Sequence, residues 1–261
     1  MKNRKNEPLK QEELDFLQQY LRVTTMPSED RRYSLPALDL LDLRKLERYL
    51  DELTSTLQSP SIKVTASQFC KRYAFMMVAP SLFVMTRYGK ALNVRIDNCN
   101  LESCFQDGIW IPKLRLNDFH VSPIEQEQIQ RDQVIQTIFS ENISKVWEAL
   151  STVTRVPMSV LWENTAVYVY WLYESFLNNA VKLCGEKECQ VENDFAYLLN
   201  KAPAELFGQA DNPLYKYYGP KTAGGSTGES VRMRKTCCYY YQVSSPKTYC
   251  TTCPILLKKK G

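Results

Sequence analysis

The last four cysteines of the chain are the residues whose spacing indicates chemistry most clearly. Cys237 and Cys238 are adjacent, and after eleven intervening residues Cys250 and Cys253 form a C-x-x-C pair in front of Pro254. Four thiolates are the full ligand set of a structural zinc ion or of a [2Fe-2S] cluster. Zinc sites usually take their thiolates from C-x-x-C-like pairs, whereas adjacent side chains in an extended segment diverge. The spacing therefore favours a two-iron cluster and leaves zinc as the alternative.

The other five cysteines carry no comparable pattern. Cys70 lies in a helical stretch, where a cysteine is usually a small buried apolar residue. The remaining four form two pairs with four residues between the partners, Cys99 with Cys104 and Cys184 with Cys189. Such a pair does not indicate a metal site without further ligands. We therefore expect these five thiols to be incidental to the metal site.

Composition excludes several classes of protein. The 261 residues are 44% hydrophobic and 24% charged, which excludes a disordered, collagen-like or coiled-coil chain as an overall description. His120 is the only histidine. Zinc hydrolases, two-histidine iron oxygenases and most Ser-His or Cys-His nucleophile systems need histidine at the site. Chemistry in this chain is therefore expected to depend on sulfur.

Positive charge is concentrated at the C-terminal end. Residues 221–261 hold eight basic residues and one acid, Glu229, a net charge of +7, which leaves −3 for residues 1–220 out of the total of +4. A basic end of this kind predicts a face that attracts an anionic ligand or an acidic protein. No groove-binding or single-strand motif accompanies the charge, so we expect no nucleic-acid partner.

No segment indicates secretion or membrane insertion. The first eleven residues are polar and lack the apolar region and the small-residue cleavage site of a signal peptide. The most apolar stretch, residues 73–88, has 16 residues and contains Pro80. It is too short to span a bilayer and is expected to form a buried pair of helices. We therefore expect a cytoplasmic protein, in which thiols stay reduced.

The N-terminal half is predicted to combine helices with a small sheet. Leucines at helical spacing predict an amphipathic helix over residues 37–58. Apolar and polar residues alternate over residues 92–97, and a second extended run covers residues 109–116 after the Asp107-Gly108 turn signal. A small antiparallel sheet is the simplest arrangement of these two runs.

The C-terminal half is predicted to be helical. Apolar periodicity predicts helices over residues 129–150, 161–176 and 191–207, with Pro157 at a helix start. Four of the nine glycines fall within residues 219–228, which predicts a hinge or a surface loop. The result is a predominantly helical α+β fold in three regions, residues 1–120, 121–228 and 229–261, of which the last is a compact four-cysteine module.

Two motifs resemble those of a known family. Residues 234–241, Arg-Lys-Thr-Cys-Cys-Tyr-Tyr-Tyr, with Cys250-x-x-Cys253-Pro254 after them, are similar to the C-terminal signature of the FhuF-like ferric siderophore reductases. In that family a basic residue and Thr precede two adjacent cysteines, and a C-x-x-C-P segment follows. The intervening segment is one residue longer here, and a loop insertion of that size costs little free energy. Residues 161–164, Leu-Trp-Glu-Asn, resemble the Leu-Trp-x-Asn helix start of the same family.

The resemblance implies a cofactor and an activity. It implies a [2Fe-2S] cluster on Cys237, Cys238, Cys250 and Cys253, and the one-electron reduction of cytoplasmic ferric siderophores of the hydroxamate or citrate-hydroxamate type. Siderophores offer hard oxygen donors that suit Fe³⁺, and Fe²⁺ is held less tightly, so reduction releases the iron. The alternative is a non-redox ligand-binding or interaction protein with a structural four-cysteine zinc site.

Further residues are candidates for docking the ferric siderophore or the electron donor. Arg232, Arg234 and Lys235 supply positive charge beside the cysteines, and they either contact an anionic ligand or offset the charge of the cluster. Trp162 is expected to contact the ligand or to pack in the core. A buried amide such as Asn164 needs partners, so it is expected to hold a loop or to touch substrate. The resemblance implies a reduced flavodoxin, a ferredoxin or an NAD(P)H-dependent reductase as donor, and a peripheral contact with a siderophore importer.

Overall fold

Long apolar helices form most of the molecule. The computed structural model describes residues 7–125, 127–181, 188–223, 230–244 and 246–258. Helices dominate these ranges, small antiparallel sheets lie mainly in the N-terminal half, and the last cysteines lie near the C-terminus, which confirms the predicted α+β class. The predictions that fall outside the described residues concern Cys184, Glu229, residues 224–228 of the glycine-rich hinge, Lys259 and Lys260.

Short strands alternate with helices in the N-terminal half. The helices are α1 (Gln11–Tyr20), α2 (Leu43–Thr56) and α3 (Ile62–Phe83). The strands are β1 (Glu7–Pro8), β2 (Leu35–Pro36), β3 (Lys90–Leu92), β4 (Cys99–Glu102), β5 (Phe105–Gln106), β6 (Ile109–Trp110), β7 (Lys113–Leu116) and β8 (His120–Pro123). They pair antiparallel in the orders β1-β8-β3, β2-β4-β7 and β5-β6.

Helices follow one another in the C-terminal half. They are α4 (Glu127–Ile138), α5 (Lys145–Thr154), α6 (Met158–Trp171), α7 (Leu177–Val181), α8 (Glu188–Asn200), α9 (Pro213–Tyr217) and α10 (Pro254–Lys258). π-Helical turns over Phe139–Ser144 and Leu172–Phe176 join α4 to α5 and α6 to α7. Strands β9 (Thr222–Ala223) and β10 (Ser230–Val231) pair antiparallel just before the cysteine-rich end.

Helices α3 and α6 pack along each other at the centre of the molecule. Both are apolar around most of their circumference, so both are buried on most sides. The Ser61 hydroxyl caps α3 by accepting the Val64 N–H, and Pro157 precedes the first turn of α6, as predicted. The Cys70 thiol is buried between the two helices and donates to the Leu161 carbonyl at 3.5 Å.

The apolar stretch over residues 73–88 forms one helix, so the predicted pair is wrong. Helix α3 continues through Pro80 to Phe83, and a π-helical turn extends it to Tyr88. Gly89, with a φ of +65°, ends the helix there. Proline lacks the N–H that bonds to the preceding turn, but the turns on both sides are buried. Packing therefore stabilises the helix through the proline.

The turn signal at Asp107-Gly108 is confirmed. The two residues have φ values of +51° and +76°, and they connect β5 to β6 in a two-residue hairpin. Positive φ at both central positions is the geometry that matches the twist of the flanking strands, and Asp-Gly accommodates it well. Phe105 lies opposite Trp110 in the resulting register.

The alternating residues 92–97 do not form the predicted strand. Strand β3 ends at Leu92, and a 3-10 turn over Ile96–Asn98 precedes β4. The Asn98 amide donates to the Asn93 carbonyl at 2.7 Å. Bonds of this kind offer the backbone an alternative to a strand ladder, and here they outweigh the alternation of apolar residues.

A buried apolar cluster includes residues from both halves of the chain. Trp110 of β6 belongs to it together with Trp147 of α5 and Phe207 from the turn after α8. The boundaries at residues 120 and 228 stay a prediction. Among the described residues, every helix is too short or too polar to cross a bilayer.

Candidate metal centre

Two short segments carry the four cysteines predicted as ligands. Cys237 and Cys238 lie on the loop after β10, and Cys250 and Cys253 lie in the turn before α10. The backbone N–H of Cys253 donates to the carbonyl of Cys250 at 3.0 Å, which closes that turn. The sulfur atoms of Cys238 and Cys250 are 4.0 Å apart. The structure therefore brings a thiol from each segment together.

Contacts beside the thiols tie the two segments to each other. The backbone N–H of Arg234 donates to the Thr252 carbonyl at 3.0 Å. The rings of Tyr241 and Tyr249 stack with their centroids 5.1 Å apart, near the end of the segment between the cysteine pairs. Tyr239 has a left-handed φ of +60°, and its N–H donates to the Cys237 sulfur at 3.3 Å. These contacts fix the shape of a segment that is one residue longer than the family pattern.

Solvent exposure divides the four thiols into an inner and an outer pair. Cys238 and Cys253 are each 2% exposed, whereas Cys237 and Cys250 are partly exposed. All four are free thiols. A metal group bound by them would face the protein interior on one side and lie close to the surface on the other.

Helix α3 fixes the backbone of the inner cysteine Cys238. The Ser67 hydroxyl and the Gln68 amide donate to its carbonyl at 2.9 and 2.6 Å. Both side chains are buried, so loss of this carbonyl would leave polar groups unsatisfied in the core. Sequence reasoning missed both residues. The signal was a polar pair inside a helix that is otherwise largely apolar.

Helix α6 holds the Arg-Lys-Thr segment through Glu163. This carboxylate is 2% exposed and accepts the backbone N–H groups of Lys235 at 2.6 Å and of Thr236 at 2.7 Å. It also accepts the Thr236 hydroxyl and lies 3.7 Å from the Arg234 guanidinium. Charge-assisted bonds of this kind stabilise a buried carboxylate that is otherwise costly. Sequence reasoning missed Glu163, although an acid on an apolar helix was a signal.

Asn164 joins both central helices to the cysteine loop. Its amide nitrogen donates to the Ser67 hydroxyl at 3.1 Å, and its amide oxygen accepts from Arg234 at 2.6 Å. Asn164 therefore holds a loop, which is one of the two roles expected for it. Arg234 is 7% exposed and also donates to the Thr236 carbonyl at 3.2 Å. Its guanidinium is held by these buried partners, and its two expected roles, docking an anionic ligand and offsetting the charge of the cluster, stay predictions.

The remaining docking candidates occupy different environments. Trp162 is buried, with its ring centroid 6.4 Å from that of Phe139, so it packs in the core. Arg232 is largely buried and donates to the Glu174 carboxylate at 2.8 Å. The side chain of Lys235 is exposed. Of the five candidates, Lys235 is the one with an exposed side chain, and its ammonium group donates to the Lys216 carbonyl at 2.5 Å.

The paired sulfurs have shifted pKa values. The pKa of Cys238 is lowered to about 5 because its thiolate accepts a hydrogen bond from Cys250, and Lys71 and Arg234 add positive charge nearby. Donating that bond raises the pKa of Cys250, and burial raises it further. Burial also raises the pKa of Cys237. A lowered pKa favours the thiolate, which is the form that binds metal.

Two family models match the chain, and one of them identifies the cofactor of this site. The model of the FhuF 2Fe-2S C-terminal domain matches residues 234–254, which hold all four cysteines. The model of the ferric iron reductase FhuF-like transporters matches residues 67–222, more than half of the chain. The chain belongs to the FhuF-like family. The resemblance noted in the sequence is thus confirmed, and so is the predicted [2Fe-2S] cofactor.

The FhuF-like family assignment rests on these two models. No curated protein matches the chain with significance. The assignment of the cofactor follows from the second model, and it covers the segment in which the adjacent cysteines and the C-x-x-C pair lie. The individual ligands, Cys237, Cys238, Cys250 and Cys253, stay a prediction that the arrangement of the thiols supports.

The charges around the cysteines of this FhuF-like protein fit a [2Fe-2S] cluster. A cluster with four thiolate ligands is negative, and the cations of Lys71 and Arg234 act on Cys238. Lys71 is largely buried, which lowers its pKa, while Cys238 and Cys250 oppose that effect. No carboxylate among the described residues pairs with Lys71, and a buried cation is costly without an anion nearby. Within the described ranges, no three Cys, His, Asp or Glu side chains are grouped as ligands of a single ion.

Proposed function

We propose that this protein reduces the iron of ferric siderophores by one electron and releases it as Fe²⁺. The observation that carries the proposal is the meeting of the two cysteine segments, where the Cys238 and Cys250 sulfurs are 4.0 Å apart and Cys237 and Cys250 are partly exposed. Membership in a ferric iron reductase family with a 2Fe-2S domain supports it. A partly exposed site gives an iron chelate and an electron donor access without entry into the core.

The chemistry of the proposed substrate suits these residues. Hydroxamate and citrate-hydroxamate siderophores present hard oxygen donors, which hold Fe³⁺ far more tightly than Fe²⁺. One added electron converts Fe³⁺ to Fe²⁺ and breaks no bond of the chelator. A reduced flavodoxin, a ferredoxin or an NAD(P)H-dependent reductase supplies that electron. The reaction needs neither a general base nor a nucleophile, and the one histidine lies on β8 rather than beside the cysteines.

The residues of the chain have separate roles in this proposal. The ligands are Cys237, Cys238, Cys250 and Cys253. A [2Fe-2S] cluster held by these thiolates supplies one-electron transfer. Glu163 and Asn164 hold the loop that carries the first two ligands, and Gln68 holds the carbonyl of Cys238. Arg234 and Lys71 supply positive charge that offsets the negative charge of the ligands.

The proposed reaction takes place in the cytoplasm. Imported ferric siderophores arrive there, and electron donors of the classes named above are present there. A peripheral contact with a siderophore importer would shorten the path of the substrate to the protein. These partners are part of the proposal and are implied by the resemblance to the family.

Metal analysis of the anaerobically purified protein tests the proposal against the zinc alternative. We expect about two iron and two sulfide per chain, and visible absorbance that bleaches with dithionite and returns when a ferric hydroxamate siderophore is added. The Cys253→Ser variant is the matched control, and we expect it to be colourless. Zinc in place of iron, with no colour after cluster reconstitution, would replace the reductase by a structural zinc protein.

A further inference from the structure

Some cations near the cysteine loop are paired, and others are not. Arg232 is neutralised by Glu174, and Arg234 lies beside Glu163. On helix α3, by contrast, Lys63 and Lys71 have no carboxylate partner among the described residues. The sequence of α3 contains no acidic residue at all. Among the described residues, positive charge without a carboxylate partner therefore lies on this helix as well as on the C-terminal segment to which the sequence points.

The two lysines lie over the tyrosines that follow the adjacent cysteines. The ammonium group of Lys63 is 5.9 Å from the ring centroid of Tyr239, and that of Lys71 is 5.0 Å from the centroid of Tyr240. Ring faces attract cations without neutralising them. The lysines are thereby held in place while their charge stays available to an anion.

Two arginines extend the positive charge along the same side of the molecule. Arg72 donates to the carbonyls of Trp110 and Gln68, each at 2.9 Å, and neither acceptor carries a charge. It lies close enough to Tyr240 and to Arg22 to interact with them electrostatically. No described carboxylate forms an ion pair with either arginine. Burial lowers the pKa of both guanidinium groups.

This group of cations adjoins the outer face of the thiols. Lys71 interacts electrostatically with Cys250, which is one of the two partly exposed thiols. Tyr240, under the Lys71 ammonium, is itself exposed. An anion bound here would therefore lie beside the place where an electron leaves the proposed cluster.

We propose that Lys63, Lys71 and Arg72, with Arg22 close to Arg72 and Tyr240 under Lys71, bind the free carboxylate groups of an anionic ferric chelate. The inference rests on the proposed function and adds a substrate preference to it. A citrate-hydroxamate chelate of Fe³⁺ carries negative charge, whereas a ferric trihydroxamate is neutral. Cations without carboxylate partners therefore favour the anionic citrate-hydroxamate chelate over the neutral trihydroxamate.

Steady-state reduction of the two kinds of chelate by the holoprotein tests this preference. The variants are Lys63→Gln and Lys71→Gln, and Lys201→Gln serves as a control with the same loss of charge at an exposed position after α8. We expect each α3 variant to lower the ratio of kcat/KM for the anionic chelate to that for the neutral one by about fivefold. The control should leave the ratio unchanged, and Lys71→Arg, which keeps the charge, should restore it.

The ratio separates docking from an effect on the cluster. A changed cluster potential or a lower cluster content alters the rates with both chelates, so its effect largely cancels in the ratio of the two kcat/KM values. An unchanged ratio in both α3 variants would overturn the inference. An acidic donor protein could reduce the variants more slowly than the wild type while the ratio of the two kcat/KM values is unchanged. That result would also overturn the inference, and it would assign the surface to the donor.

Binding of redox-inert chelates distinguishes this inference from the proposed function. The gallium(III) complex of a citrate-hydroxamate siderophore should bind the wild-type holoprotein more weakly as NaCl is raised, and binding should weaken in both lysine variants. If the protein reduces neither ferric chelate yet shows this binding, the reductase proposal fails and the anion site stands. If it reduces both chelates but the gallium complex binds independently of the lysines, the anion site fails and the reductase stands.

Discussion

Glu163 shows how a single buried charge organises the cysteine loop. Its carboxylate accepts two backbone N–H groups and one hydroxyl from Lys235 and Thr236, just before the adjacent cysteines. Arg234 lies 3.7 Å away and supplies the opposite charge. Glu163 is thus a positioning residue: it touches neither thiol, and it fixes the backbone from which both project.

Replacement of this carboxylate by an amide is expected to loosen the loop. Glu163→Gln keeps the size of the side chain, but it removes the charge and points a donor at groups that are themselves donors. We expect the free energy of unfolding of the apoprotein to fall by about 2–4 kcal/mol and the retained iron per chain to fall with it. Urea unfolding and iron analysis measure the two effects. Glu192→Gln, at an exposed position on α8, is the control, and equal losses in both variants would contradict the assigned role.

Substitution of single cysteines separates the proposed ligands from the other thiols. We expect serine at position 237, 238, 250 or 253 to abolish both the visible absorbance and the reductase activity, because each change removes one thiolate ligand. Cys70→Ala and Cys184→Ala should keep both properties. Cys70 is buried between α3 and α6, where its pKa is raised well above the ordinary value by burial, so it stays a thiol. Full activity in any of the four serine variants would count against the ligand assignment.

At the level of elements, α3, α6 and the π-helical turn after α6 each hold the C-terminal end against the helical body. Helix α3 binds the Cys238 carbonyl, and α6 binds the Arg-Lys-Thr segment through Glu163. The third contact is the Glu174 carboxylate, in the π-helical turn after α6, which accepts from Arg232 next to β10 and pairs with Lys221 beside β9. The small C-terminal module therefore depends on the two central helices for its position.

The Glu174 contact gives stability a defined pH dependence. Burial by itself raises the pKa of Glu174, but bonds from Arg232, Lys221 and Tyr218 outweigh it, so the folded pKa is lowered. A carboxylate with a lowered folded pKa stabilises the fold above its unfolded pKa of about 4.3, and this contribution is lost as the pH falls through the folded value. We expect Glu174→Gln to be less stable at neutral pH and to lose less stability on acidification.

Urea unfolding of the apoprotein between about pH 3 and pH 7 measures this difference. Glu47→Gln, on the exposed side of α2, serves as the matched control and should follow the wild-type profile. A Glu174→Gln profile that runs parallel to the wild type over the whole range would show that the contact contributes nothing to the pH dependence.

Elements signalled by neighbouring residues could be predicted from the sequence. The turn at Asp107-Gly108 and the helix start at Pro157 depend on short-range spacing, and the structure agrees with both. The four-cysteine segment also has a short-range pattern, and the 2Fe-2S family model matches it. The alternation of apolar and polar residues over 92–97 also predicted a strand. The Asn98 side chain bonds to the Asn93 carbonyl instead, and the predicted strand does not form. The predicted helix pair over residues 73–88 failed because burial keeps α3 intact through its proline.

Site residues with distant partners could not be predicted in the same way. The Glu163 carboxylate accepts backbone N–H groups that lie 72 and 73 positions further along the chain. No local sequence pattern indicates that these N–H groups bond to Glu163. Arg234 was expected either to contact an anionic ligand or to offset the charge of the cluster, and neither role predicts its partners. Its burial depends on Asn164, 70 residues earlier, and on Glu163. A buried ion pair of this kind can be recognised only after the fold has brought its two members together.

At the scale of the whole molecule, charge is divided between structure and surface. Arginines near the cysteine loop pair with carboxylates and help to hold the C-terminal end. Lysines on α3 have no carboxylate partner among the described residues, and they lie over the tyrosines of the same loop. The N-terminal half, which carries few motifs, thus supplies both a support for the inner cysteine and the positive charge proposed to attract an anionic chelate.

The proposed function requires electrons to pass from a cysteine-held cluster to the iron of a siderophore. Anaerobic stopped-flow mixing of dithionite-reduced protein, freed of excess reductant, with a ferric hydroxamate siderophore tests it most directly, with a chromogenic Fe²⁺ chelator present. We predict that the oxidised absorbance returns while one Fe²⁺ appears for each electron lost, and that Cys253→Ser gives neither signal. A protein that contains the cluster but stays reduced while the Fe³⁺ complex remains unchanged would contradict the account.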